Sequence, residues 1–199
     1  MKFRGFHRIL GILLILPFLG WVATGLFFFI KPGYKGAYES LKPAIRPLEN
    51  LPHIQGDSSW LEYRMVRSVL GLHLLVKTRD GFLHLNGDGA VRDFPSEADI
   101  KLLVEEAIII NPQRYGQILR VEENEIFMDS GVKITLNWDS LSFYQYGEDT
   151  RFIDLMYSVH YLRWTGVKAI DQVMGVVGLG LVLLLTASGV FLLVRGKKI

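Results

Sequence analysis

Residues 157–195 read YSVHYLRWTGVKAIDQ, then VMGVVGLGLVLLLTASGVFLLV, then Arg195. The second part, Val173 to Val194, is twenty-two residues without a charge. At ~1.5 Å per helical residue it covers about 33 Å, enough to cross the hydrocarbon core of a bilayer. One other apolar run has that length, Ile9 to Ile30, and it follows His7 as the later run follows His160. The fold class this predicts is a membrane protein with two transmembrane α-helices flanking a domain of its own.

Composition is consistent with that plan. Both signs of charge are mixed to a net of +2 among 199 residues, so nothing points to nucleic acid. Cysteine is absent, which excludes disulfides, thiolate catalysis and Cys-ligated clusters. The first span is too long for a cleaved signal peptide, and Lys31-Pro32-Gly33-Tyr34 is a poor cleavage context, so a retained anchor is expected. Lys2, Arg4 and Arg8 at one end, and Arg195, Lys197 and Lys198 at the other, make short basic tails. The positive-inside tendency places both termini in the cytoplasm.

Small residues mark the spans. At ~100° per residue Gly25 returns to the azimuth of His7, with Gly11 nearby; Gly175, Gly178, Thr186 and Gly189 form a stripe on the second span. Such stripes let helices approach closely, so Gly11, Gly25, Gly175, Gly178, Thr186 and Gly189 are candidate helix-packing positions. The spans also repeat one another. Gly11 and Gly25 have the spacing of Gly175 and Gly189, with Thr24 or Ser188 before the second glycine and Phe27 or Phe191 two after it.

Between the spans the period falls to two. Residues 60–70, 72–78, 82–85 and 91–94 read as short strands, with turns at Arg79-Asp80-Gly81 and Asn86-Gly87-Asp88-Gly89. Ser96, followed three residues later by Asp99, caps a helix whose apolar face is Ile100, Leu103, Val104, Ala107 and Ile108, and Asn111-Pro112 stops it. A second meander is expected over 117–121, 125–128, 132–138 and 141–146. This α+β domain of antiparallel meanders leads into an amphipathic helix with Phe152, Leu155, Met156, Val159 and Leu162 on one face. The expected segments are a tail at 1–8, a span at 9–30, the domain at 31–150, the juxtamembrane helix at 151–172, a span at 173–194 and a tail at 195–199.

H7-R-I-L-G opening a span that ends T24-G-L-F-F, and I153-D-L-M-Y-S-V-H160-Y-L-R-W-T-G166 after a short-stranded domain, together resemble the PepSY-associated transmembrane proteins of bacteria. That resemblance implies a bacterial inner-membrane protein with a periplasmic PepSY-like domain. Some members are haem-containing reductases of ferric iron, with span-end histidines as axial ligands, so the resemblance carries His7 and His160 over as cofactor-binding candidates. The chain departs from the reductase-like members, which have more spans and more histidines.

Imidazole is a common axial ligand of haem iron, and helices often hold b-type haem between two of them. His7 and His160 lie at opposite ends of the spans, roughly 30 Å apart, so one protomer cannot bring both to one iron. Haem b would need a homodimer or a partner subunit. The alternative is that both histidines are interfacial residues near headgroups. His73 and His84, on neighbouring strands, read as a surface metal site or as ordinary strand histidines. Glu122, Glu123 and Glu125 read as a hard-cation site or a solvated turn. No nucleophile–base set, phosphate loop or zinc motif appears, so no catalytic residue is assigned. Two functions are expected on these grounds. One is a haem-dependent reductase of periplasmic ferric iron; the other is a non-catalytic accessory subunit of a larger membrane complex.

Overall fold

The computed structural model describes residues 2–49 and 52–196. Met1 and the tail residues Lys197 and Lys198 lie outside them. The chain divides into two units, one formed by residues 1–34 and 151–199 and the other by residues 35–150.

The middle unit holds two antiparallel sheets. The first contains β1 (Glu62–Ser68), β2 (Gly71–Lys77) and β3 (Phe82–Leu85) in that order. The second contains β4 (Ile118–Glu122), β5 (Glu125–Met128), β6 (Lys133–Asn137) and β7 (Ser142–Tyr146), also in sequence order. The one-turn α2 (Tyr34–Ala37) precedes the first sheet in the chain, helix α3 (Glu97–Ile108) joins the two sheets, and the one-turn α4 (Pro112–Tyr115) follows. Alternation accounts for the second sheet. Ile126, Met128, Ile134, Leu136 and Phe143 point inward at every second position and meet Ile100, Leu103, Val104 and Ala107 of α3. The same core takes Val66 and Leu75 from the first sheet. Leu74, Val76 and Leu85 face the other way and are covered by Ile54 and Trp60. Strand β2 is thus buried on both faces from His73 to Val76.

Local signals are met. Ser96 accepts from the Asp99 amide at 3.2 Å, and the Asp99 carboxylate accepts from the Ser96 amide at 3.2 Å, closing a capping box. The expected strand over 91–94 shrinks to a single bridge between Leu85 and Val91. Its pairing is limited because Pro95 has no amide hydrogen and the Arg92 side chain turns to the Leu70 and Leu72 carbonyls.

The other unit is helical. Helix α1 (Lys2–Ile30) and helix α6 (Lys168–Gly196) run antiparallel, with Phe3 against Phe191 at 5.0 Å between ring centroids. Residues 3–30 and 168–195 are each long and apolar enough to cross a membrane. Large apolar side chains such as Leu16, Val22, Phe29 and Leu183 face outward on them, as on helices meant for lipid. Helix α5 (Glu148–His160) descends beside α1: Phe152 packs on Phe27, and Tyr157 stacks on Phe28 at 4.6 Å.

The amphipathic helix does not run on into the span. It ends at His160, and Leu162 and Gly166 adopt positive φ of 55° and 74°. Asp171 then accepts from the Thr165 amide at 3.0 Å and from its hydroxyl at 2.7 Å, fixing the start of α6.

Candidate functional site

His7 and His160 each meet a hydroxyl on the other long helix or beside it. His7 Nδ1 lies 2.8 Å from Ser188 Oγ on α6. His160 Nδ1 lies 2.8 Å from Thr24 Oγ1 on α1. The two pairs sit at opposite ends of the helix pair. From His7 to Thr24 is seventeen residues along α1, or about 26 Å. One iron cannot bind both rings of one chain.

His160 is held from several sides. Trp21 Nε1 donates to its carbonyl at 2.7 Å. The Phe28 and Tyr161 rings meet the imidazole edge-on at 5.2 and 5.4 Å. Val159, its neighbour, lies against Gly20, where an added Cβ would come within 3.3 Å. A groove of about 440 Å³ opens beside it, lined by Phe18, Trp21, His160, Leu162, Leu179 and Val182 among others. Thr24, six residues before the end of α1, places His160 about 9 Å inside that end.

The candidate packing positions divide. A Cβ on Gly189 would stand 3.2 Å from His7 Cε1, and one on Gly178 would stand 2.6 Å from Leu162 Cδ1. Gly175 lies 3.8 Å from the Tyr161 carbonyl by the same measure. Gly11 and Gly25 face open space, and Thr186 is exposed with its hydroxyl on the Val182 carbonyl. Within one chain, then, close approach is made at α6 positions, and a Cβ on Gly11 or Gly25 would meet no atom within 4 Å.

The middle unit carries a polar chain that the sequence did not announce. The pleat puts Ser68, His73 and His84 on one face of the first sheet. Ser68 Oγ lies 2.6 Å from His73 Nε2, His73 Nδ1 lies 2.8 Å from His84 Nε2, and His84 Nδ1 lies 2.7 Å from the Trp138 carbonyl. A carbonyl only accepts, so His84 Nδ1 carries a proton and its neutral Nε2 accepts from His73 Nδ1. His73 Nε2 then accepts from Ser68. Every member is satisfied with both rings neutral. Burial, then the Arg92 guanidinium and His84, holds His73 down at about 3. Burial and Arg92 lower His84 too, although its bond to the Trp138 carbonyl acts the other way.

The order Ser–His–His matches a nucleophile, a base and an orienting group, but its chemistry differs from that of a hydrolase. Ser68, His73 and His84 are all buried, and a ring this hard to protonate is a poor proton acceptor at neutral pH. The arrangement is an internal polar ladder joining the first sheet to Trp138. His73 and His84 bond each other inside the core, so neither ring lies at the surface.

Glu122 pairs with Arg120 at 3.1 Å and Glu125 with Lys133 at 2.7 Å, so that acidic turn is largely neutralised. A second network fixes the middle unit's two ends. Arg114 grips Asp149 and donates to Gln145 at 2.9 Å, while Tyr115, fully buried, reaches Glu39 at 3.1 Å and Gln145 at 2.9 Å. Burial and the neighbouring Glu39 raise Tyr115 to about 12.

The chain matches no protein-family model, no curated protein and no solved structure. Thr24 and Ser188 are the site residues that the histidine reading missed. Their only signal was the repeated Thr-Gly and Ser-Gly, whose hydroxyls face His160 at the end of α5 and His7 on α1.

Proposed function

We propose that this chain is an inner-membrane redox protein of the PepSY type, holding b-type haem through His160 and, at the far end, His7, and passing electrons to periplasmic ferric iron in support of uptake. The observation that carries it is the setting of His160. The ring borders a mostly apolar groove among three helical segments, one nitrogen is engaged by Thr24, and the other has no hydrogen-bond partner among the described residues. That is the donor chemistry an axial imidazole needs: a second-sphere bond on one nitrogen, a lone pair on the other, and low polarity around them. Haem, when bound, supplies one-electron exchange between ferric and ferrous iron.

The chain's own residues supply position and exclusion of water. Phe28 and Tyr161 limit rotation of the His160 ring, Trp21 fixes its backbone, and Phe18, Leu179 and Val182 keep the groove apolar. With His160 beside Thr24, about 26 Å along α1 from His7, each histidine is a half-site. A homodimer would complete each one with its own copy, and the open space beside Gly11 and Gly25 leaves room for close approach.

A second reading, an accessory subunit of a larger membrane complex, is favoured by one observation. The His7–Ser188 and His160–Thr24 bonds already give both histidines a role in helix packing. An absorbance spectrum of protein purified from haem-replete cells separates the two. The proposal expects a Soret band with b-type α bands on reduction, and loss of haem in His160→Ala. A colourless wild type refutes it in favour of the accessory role.

A further inference from the structure

The hydroxyls opposite the two histidines have one proton each, and the structure says where it goes. Thr24 Oγ1 lies 2.6 Å from the Gly20 carbonyl and 3.3 Å from the Trp21 carbonyl, both of which only accept. Ser188 Oγ lies 2.9 Å from the Leu185 carbonyl. Back-bonding to the preceding turn is the ordinary habit of Ser and Thr inside helices. With the hydroxyl proton committed there, each oxygen can only accept from the imidazole 2.8 Å away. The proton of each neutral ring therefore sits on Nδ1, and the lone pair sits on Nε2.

We propose that Thr24 and Ser188 are positioning residues that hold His160 and His7 in the Nδ1–H tautomer, so that each ring offers Nε2 as a ligand donor to a haem-class metal centre. The metal half of this statement rests on the proposed function; the tautomer half does not. The arrangement recurs towards both ends of α1, against α6 at one end and against the end of α5 at the other, through the matched Thr24-Gly25 and Ser188-Gly189 dipeptides. At Ser188 the following glycine also suits the shape, since a Cβ on Gly189 would stand 3.2 Å from His7 Cε1, a tight contact. Hydroxyl and glycine together seat the ring: one accepts its proton, the other leaves room for its edge. A carbonyl or carboxylate would serve as acceptor equally well in water. Between apolar helices a hydroxyl that has already spent its proton does so without bringing a charge into the bilayer.

The test uses the full chain in detergent, labelled with ¹⁵N- and ¹³C-histidine, without added haem. Ring shifts distinguish the tautomers, and His7→Asn and His160→Asn assign the signals. Wild type is expected to show Nδ1–H at both rings. Thr24→Val should release His160 to the Nε2–H form that free imidazole prefers, leaving His7 unchanged; Ser188→Ala should do the reverse. Thr24→Ser should retain the wild-type signal. Wild-type rings in the Nε2–H form overturn the proposal at once, whether or not the variants fold. So does a Thr24→Val ring that stays Nδ1–H. A second arm titrates the same proteins with haemin. Thr24→Val should bind about 10- to 100-fold more weakly, the usual effect of losing an orienting second-sphere partner, with Thr24→Ser near wild type. Nδ1–H rings in a wild type that takes up no haemin would refute the haem reading while upholding the tautomer assignment.

Discussion

Acid should unfold the middle unit at a pH where its carboxylates are still intact, and the buried histidine ladder gives the size of the effect. In the unfolded chain each ring takes a proton as pH falls through about 6.5. In the fold His73 resists until about 3, because burial and Arg92 oppose a charge there and both its nitrogens are already committed. Between those values the unfolded chain holds one more proton, so stability falls with pH by about 1.4 kcal/mol per unit for this ring. From pH 6.5 to pH 4 the loss is roughly 3 kcal/mol from His73 alone, and His84 adds to it in the same direction. Against a typical domain stability of 5–15 kcal/mol that is a large share. Above pH 6.5 the dependence vanishes, since both states are neutral. Asp149 acts elsewhere: although burial opposes it, its bond to Arg114 lowers its pKa, so its stabilisation is lost only below about 3.8. The assay is hydrogen exchange of the β2 amides across a urea series in detergent, at pH 7.5, 6.5, 5.5 and 4.5, for wild type and for His73→Phe with His84→Phe. Wild type should lose midpoint steadily below pH 6.5, and the double variant should be nearly flat. A flat wild type, or an equal slope in both, would show that the rings are not buried neutral and sink the reasoning.

Three further outcomes are expected. Ser68→Ala leaves His73 Nε2 without a donor inside the core and should cost about 1–3 kcal/mol, read from the same urea midpoint; a neutral effect would mean that water reaches the ladder. Arg114→Ala strands Asp149, whose carboxylate is a quarter exposed, so the loss should be about 2–3 kcal/mol, below that for a fully buried pair, and the acid transition below pH 4 should weaken. Gly189→Leu should push His7 off Ser188. Because the native chain has no cysteine, cross-linking of Phe3→Cys with Phe191→Cys reports it directly, efficient in the parent and reduced with Gly189→Leu.

What the sequence made legible was whatever is decided locally. Apolar length set the two long helices, Ser96 and Asp99 announced the cap, and alternation set β5, β6 and β7 almost to the residue. Arg79-Asp80-Gly81 gave the β2–β3 turn. What it hid depends on contacts distant in the chain. The ladder needs β1, β2 and β3 in one register and Trp138 from the turn after β6, 54 residues beyond His84. A signal did exist, for His73 stands inside Leu72-His73-Leu74-Leu75-Val76, an apolar run of the kind buried on both faces, where a histidine must be neutral and paired. The end of α5 at His160 was hidden for another reason. Leu162 takes a left-handed conformation that leucine rarely adopts, held by its burial against Gly178.

The two histidine–hydroxyl pairs are too weak to be what binds the helices together. Hydrogen bonds between helices in membranes average about 0.6 kcal/mol, so two contribute on the order of 1 kcal/mol. Packing of α1 on α6 and on α5, through Phe3, Phe27, Phe28 and the close approach at Gly189, must supply the larger share. What the pairs decide is register. Sliding α6 by one turn along α1 moves it about 5.4 Å, which separates His7 from Ser188 and brings a side chain other than Gly189 against the imidazole. The penalty is then a polar ring without its partner in an apolar setting plus a steric clash, and the second is the steeper of the two. The orientation of the His7 ring therefore depends on register and not on how tightly the helices adhere.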